Sequence, residues 1–267
     1  MMAADDSIPV SRWRGVCAYD GTDFYGWQSQ VGGNTIQDFL ETRLGVIFEQ
    51  PVRVHGSGRT DSGVHAKAQT FHFDGDWPHG ADKLLRALRS GLPAGIQVAA
   101  VRPARPGFHA RYDATGKRYV YRLYHGFAPP MEARYCYSLG GGTLDLSAMR
   151  NAAARLEGTH DFTAYSASRG SKDDNDDEDP VKTLDRLSVT RRGPRLCLVA
   201  EGSGFLYKMV RRLAGALVTV GQGKLTPGDV EAILKAKIRT ERFPTAPAKG
   251  LCLEKVFYGH RNRSLPP

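Results

Sequence analysis

An α+β fold of two β-α-β-β-α-β units is predicted by three observations. Period-two and period-3.6 hydrophobic patterns succeed one another in the order strand, helix, strand, strand, helix, strand, and the same order recurs more loosely in the second half. The chain is 267 residues long and 41% hydrophobic, enough for one or two soluble domains with real cores. That order is the split unit of ferredoxin-like folds, with mixed or antiparallel sheets.

The elements follow in turn. A strand is predicted near Arg14–Tyr19, then a helix over about Thr35–Phe48, where Ile36, Phe39, Leu40, Leu44 and Ile47 recur at helical spacing. Pro51–His55 and Val64–Phe73 read as strands, Ala81–Ser90 as a helix and Gln97–Arg102 as a strand. After a candidate hinge at Pro103–Gly107, a strand is predicted at Arg118–Tyr124 and a helix near Ser147–Leu156. Strands near Asp185–Thr190 and Leu196–Glu201, helices near Tyr207–Val220 and Pro227–Lys237, and a strand near Gly250–Phe257 complete the second unit.

Chemistry is concentrated between two of these strands, in His55-Gly56-Ser57-Gly58-Arg59-Thr60-Asp61-Ser62-Gly63-Val64-His65. The glycines permit positive φ and close approach of another molecule, so Asp61 stands at the tip of a strand–loop–strand beside Arg59. A phosphate cradle does not fit, because the glycines miss G-x-G-x-x-G and no G-K-[ST] follows. An aspartic peptidase would need a second D-[ST]-G, and the chain has one. Otherwise Asp61 bonds its own backbone in a plain turn.

The formal charge is +9. Ser171–Asp179 holds six acids and one lysine, a net of −5 that leaves +14 on the remainder. Such a basic remainder favours a polyanionic partner, nucleic acid foremost. The acidic segment, within 168–180, cannot form a core and is expected to be a flexible loop. Cys17, Cys136, Cys197 and Cys252 form no C-x-x-C pair, which argues against a zinc ribbon or disulfide scaffold. Cys17 and Cys197 sit in apolar runs, as buried small hydrophobes do. No apolar leader or membrane-length run occurs, so a soluble, cytoplasmic protein is expected. Residues 1–11 read as a disordered lead and 261–267 as a tail.

The Asp61 loop resembles that of the tRNA pseudouridine synthase A family. Tyr19-Asp20-Gly21-Thr22 with Gly26-Trp27-Gln28-Ser29-Gln30 is similar to the family's opening strand and loop. Phe108-His109-Ala110-Arg111 with Lys117-Arg118-Tyr119-Val120-Tyr121, Gly158-Thr159-His160-Asp161-Phe162, and Phe205-Leu206-Tyr207-Lys208-Met209-Val210-Arg211 match in order. The similarity runs from about Arg12 to about Tyr258.

The resemblance implies two ferredoxin-like domains, 12–107 and 108–260, joined into one extended sheet with the active site in a cleft between them. It implies a cofactor-independent, metal-free isomerase of uridines 38, 39 and 40 in the tRNA anticodon stem-loop, acting as a homodimer. Asp61 becomes the catalytic carboxylate, as nucleophile or base. Tyr119 becomes a uracil platform and Arg211 the cation that offsets desolvation of Asp61. Arg212 competes for that role from the same helix. Arg59 is expected to fill the gap left by an extruded nucleotide or to hold its phosphate, and Arg111 to contact phosphate. The alternative is a non-catalytic RNA-binding protein of the same fold.

Overall fold

The computed structural model describes residues 11–168 and 179–259. The expected lead before residue 12 apart from Ser11, most of the acidic loop and the tail at 261–267 lie outside them. The chain is a mixed α/β protein that divides into two compact units, Met1–Ala114 with Tyr258–Pro267, and Thr115–Phe257.

In the first unit the order is β1 (Arg12–Tyr19), α1 (Ile36–Phe48), β2 (His55–Gly56), β3 (His65–Asp74), α2 (Ala81–Arg89) and β4 (Ile96–Pro103). The sheet runs β4-β1-β3-β2, every pair antiparallel. β1 buries alternate residues, and Cys17 on this inner strand is wholly buried, as period-two patterning requires. α1 opens with a capping box: the Thr35 hydroxyl accepts from the Asp38 N–H while the Asp38 carboxylate takes the Thr35 N–H. Ile36, Leu40 and Leu44 line its buried stripe.

The strand expected over Pro51–His55 shrinks to His55–Gly56. The reason is local competition for hydrogen bonds: the Val54 N–H donates to Glu41 Oε1 at 2.9 Å, and its carbonyl accepts from Gln37 Nε2 at 3.1 Å. Side chains of α1 thus satisfy this backbone in place of a strand ladder.

The second unit contains β5 (Ala114–Tyr124), α3 (Pro130–Ala133), β6 (Tyr137–Ser138), α4 (Leu146–Ala154), β7 (Gly158–Asp161), β8 (Val181–Arg192), β9 (Arg195–Gly202), α5 (Met209–Gly221), α6 (Pro227–Ala236) and β10 (Leu251–Tyr258). Its strand order is β10-β5-β9-β8-β7. The stretch β10-β5-β9-β8 repeats the first unit's order, while β6 adds a parallel pair to β5 and makes this sheet mixed. Cys197, expected in the core, is only half-buried, because it falls on the opposite face of β9 from Leu196, Leu198 and Ala200. Almost all of α5 is buried. Gly215 makes that possible, since a Cβ there would lie 1.9 Å from the Pro244 carbonyl oxygen.

Three imidazoles pack together in the first unit. His55 stacks on His72 with ring centroids 4.9 Å apart, and His109 meets His72 edge-on at 4.6 Å. His72 is 2% exposed, and its Nδ1 accepts the Ala110 N–H at 3.1 Å. Burial, with repulsion from His109, His55 and Arg12, pushes its pKa down to about 4. A folded-state pKa below the unfolded value means the neutral form is favoured in the fold. The resulting stability is present above pH ~6.5 and is lost as pH falls towards 4, by ~3 kcal/mol. His72→Asn keeps an acceptor for Ala110 but does not titrate. The difference in unfolding free energy between wild type and His72→Asn, measured by urea melts, is expected to shrink by that amount from pH 7 to 4. A pH-independent difference would refute the assignment.

Candidate active site

The loop between β2 and β3 is fastened at several points, and Asp61 sits among the fastenings. Ser57 is fully buried; its N–H donates to the Thr70 carbonyl at 2.8 Å and its hydroxyl to Gln69 Oε1 at 2.5 Å. Gln69 Nε2 returns a bond to the Gly58 carbonyl at 2.7 Å. Thr60 turns its side chain inward, where its hydroxyl pairs with the Tyr19 hydroxyl at 2.9 Å. The Asp61 carbonyl accepts the Val64 N–H at 3.1 Å, closing a turn that places Gly63 at φ 76°. Asp61 is half-buried, between buried Thr60 and exposed Ser62.

The segment after β1 braces this loop from outside. The Trp27 N–H donates to the Thr60 carbonyl at 3.1 Å, and the Ser62 hydroxyl donates to the Phe24 carbonyl at 3.1 Å. Gly26 adopts φ 88°, and a Cβ there would stand 2.5 Å from the Thr60 carbonyl oxygen. A Cβ on Gly56 would stand 2.4 Å from the buried Trp27 indole. These glycines are therefore required by close approach. Phe24 and Trp27 pack within the unit, and Tyr25 of the same cluster is exposed. Such anchoring fixes the backbone that carries Asp61.

The other residues singled out in the sequence fall in both units. Arg59 is exposed on the Asp61 loop, and Arg111 is exposed on a turn following Phe108; both belong to the first unit. Tyr119 and Arg211 belong to the second. Tyr119 on β5 is 7% exposed and meets Phe205 edge-on, ring centroids 5.2 Å apart. Tyr121, on the same face, is a core tyrosine whose hydroxyl donates to the Pro247 carbonyl at 2.7 Å. Burial raises the Tyr121 pKa well above its ordinary range, and the charge of Arg211 partly opposes the shift. Arg211 is half-buried in the first turn of α5. Its Nε donates to the Ala246 carbonyl at 2.8 Å.

Arg212 has a different place. It is buried, stacked over Phe243 at 4.9 Å and donating to the Thr240 carbonyl. Burial lowers its pKa. Among the described residues no three His, Cys, Asp or Glu side chains are placed to hold a metal ion, and no helix is long and apolar enough to cross a membrane. The Tyr19–Thr60 bond and the wedge of Trp27 against Gly56 escaped the sequence reading. Their only signal was the position of Tyr19 and Trp27 inside the opening motif.

Known proteins resemble this chain over most of its length. A family model described as tRNA pseudouridine synthase matches residues 16–113 and 152–259. The tRNA pseudouridine synthase A of Solidesulfovibrio magneticus is 44% identical over 256 residues, covering 94% of this chain and 92% of that protein. The enzyme of the same name from Geobacillus kaustophilus is 40% identical over 250 residues, covering 93% and 95%. That from Bacillus licheniformis is 41% identical over 249 residues, covering 92% and 99%. With matches of this extent on both sides of the Asp61 loop, the chain belongs to the tRNA pseudouridine synthase family.

Proposed function

We propose that this protein isomerises uridine to pseudouridine in the anticodon stem-loop of tRNA, at positions 38, 39 and 40. The observation that carries the reading is the braced loop presenting Asp61, in a chain of this family. The reaction breaks the N1–C1′ bond of uridine, turns the uracil and joins C5 to C1′. The proton leaving C5 is balanced by one gained at N1, so no electrons enter or leave. Asp61 supplies the carboxylate, by attack at C1′, addition at C6 or removal of the 2′ proton. Arg211 offsets the desolvation that would otherwise drive a carboxylate towards its neutral form. Tyr119 carries the detached ring on its aromatic face. Arg59 takes the place of the extruded nucleotide or holds its phosphate, and Arg111 contacts the backbone.

The strand orders β4-β1-β3-β2 and β10-β5-β9-β8 support reading each unit as ferredoxin-like, with domains at 12–107 and 108–260. The working form is a cytoplasmic homodimer whose basic surface takes one tRNA. The test is incubation with tRNA uniformly labelled in uridine, followed by mapping of pseudouridine. Product at 38–40 is expected. Tight tRNA binding with no product would favour the binding-only alternative.

Because the isomerisation is redox-neutral and transfers no activated group, activity is expected to survive exhaustive chelation without added nucleotide or redox cofactor. The check is turnover in excess chelator on tRNA shown to remain folded. Loss of activity that zinc or magnesium restores would count against it.

A further inference from the structure

The Phe108–Asp113 turn is built more firmly than a surface connection needs to be. Phe108 and Ala110 point inward and are buried. The peptide groups of Ala110 are held at both ends: its N–H donates to His72 Nδ1 at 3.1 Å, and its carbonyl accepts from the Tyr258 hydroxyl at 2.7 Å. The His109 N–H donates to Asp113 Oδ2 at 3.1 Å, and the Asp113 N–H returns to the His109 carbonyl at 3.0 Å. His109 Nδ1 accepts from the Arg111 and Tyr112 N–H groups at 3.1 and 3.3 Å, which fixes the ring in place with its proton on Nε2.

All of this supports one outward ring. Tyr112 is 77% exposed, yet it stacks on His109 with centroids 4.2 Å apart and planes at 28°. His109 is in turn backed by His72. One face of the tyrosine is covered by a fixed imidazole and the other faces solvent. Such a ring is pre-organised, so a flat partner stacks without first ordering a side chain. Its surroundings select the partner's charge: the preceding residue, Arg111, is exposed on the same turn. A π-face next to a guanidinium is the combination that takes up single-stranded nucleic acid.

We propose that the outer face of Tyr112 is a stacking site for one unpaired nucleobase of the RNA substrate, with Arg111 holding the adjoining phosphate. This rests on RNA being the substrate, and it assigns a contact distinct from Tyr119 and the Asp61 loop. A base stacked here anchors the RNA without touching the reacting uridine, so it acts on binding alone.

The experiment compares Tyr112→Ala, Tyr112→Phe and Tyr112→Trp in the full chain. The ring is exposed, so all three are expected to melt like wild type. Tyr112→Ala should raise KM for tRNA, and Kd for a short single-stranded RNA, by about 5- to 150-fold with kcat unchanged. Phe and Trp should keep wild-type values within about twofold, since the ring rather than the hydroxyl does the stacking. Unchanged binding in Tyr112→Ala, or equal loss in Tyr112→Phe, would overturn the proposal. So would an equal loss of affinity for a fully paired RNA duplex, which offers no free base. Failure of the functional reading is separable: a wild-type protein that makes no pseudouridine but loses single-stranded RNA on Tyr112→Ala would refute the activity and leave this site standing.

Discussion

Asp61→Asn should abolish pseudouridine formation, on the order of 10⁴-fold or more, while tRNA affinity stays within a few-fold. The amide has almost the shape of the carboxylate but can act neither as a nucleophile nor as a base. A positioned acid–base group alone contributes up to about 10⁴. Affinity is spared because phosphate contacts, made by cations and not by Asp61, dominate RNA binding. The fastenings through Ser57, Thr60, Ser62 and the backbone of Asp61 are untouched by the substitution. Ser62 and Gly63 follow, a context in which an asparagine deamidates back to a carboxylate. Asp61→Ala serves as the second variant for that reason. Turnover near wild type in both would remove Asp61 from the chemistry, and loss of tRNA binding in both would make its role one of recognition.

How much of this was legible in the sequence depends on the range of the interactions involved. Elements set by local periodicity were readable: β1, α1, β3 and β5 fall close to where the apolar spacing puts them. β2 was misjudged because Pro51–Val54 alternates like a strand, while the deciding bonds come from Gln37 and Glu41, more than ten residues earlier on α1. The Asp61 loop was visible as a glycine-framed string. What steadies it was not, since the Tyr19–Thr60 bond spans 41 residues and no period encodes it. The packing of His55, His72 and His109 has no local signal either. Their stacking depends on the β2–β3 register, which pairs His55 with His72, and on a turn that brings in His109. Arg211 and Arg212 are adjacent and chemically identical. Burial separates them, leaving Arg211 half-buried and Arg212 in the core.

Tyr119 is the side chain for which a conservative change is the more informative one. Its ring is buried against Phe205, so Tyr119→Ala opens a cavity and is expected to destabilise the second unit by ~3–5 kcal/mol. Lost activity in that variant would conflate folding with chemistry. Tyr119→Phe keeps the packing and the stacking face and removes only the hydroxyl. If the ring carries the uracil and the hydroxyl moves the C5 proton, Tyr119→Phe should keep KM within about twofold and lower kcat by about 10²-fold, the lower range for one proton-transfer group. Tyr119→Leu keeps apolar bulk but offers no π-face, and it should raise KM as well, by up to the 1–3 kcal/mol that one base–aromatic stack is worth. Thermal melts of the three variants separate these effects: only Ala should melt far below wild type. Near-normal kcat and KM in both Phe and Leu would show that Tyr119 is a core tyrosine like Tyr121, whose hydroxyl is already committed to the Pro247 carbonyl.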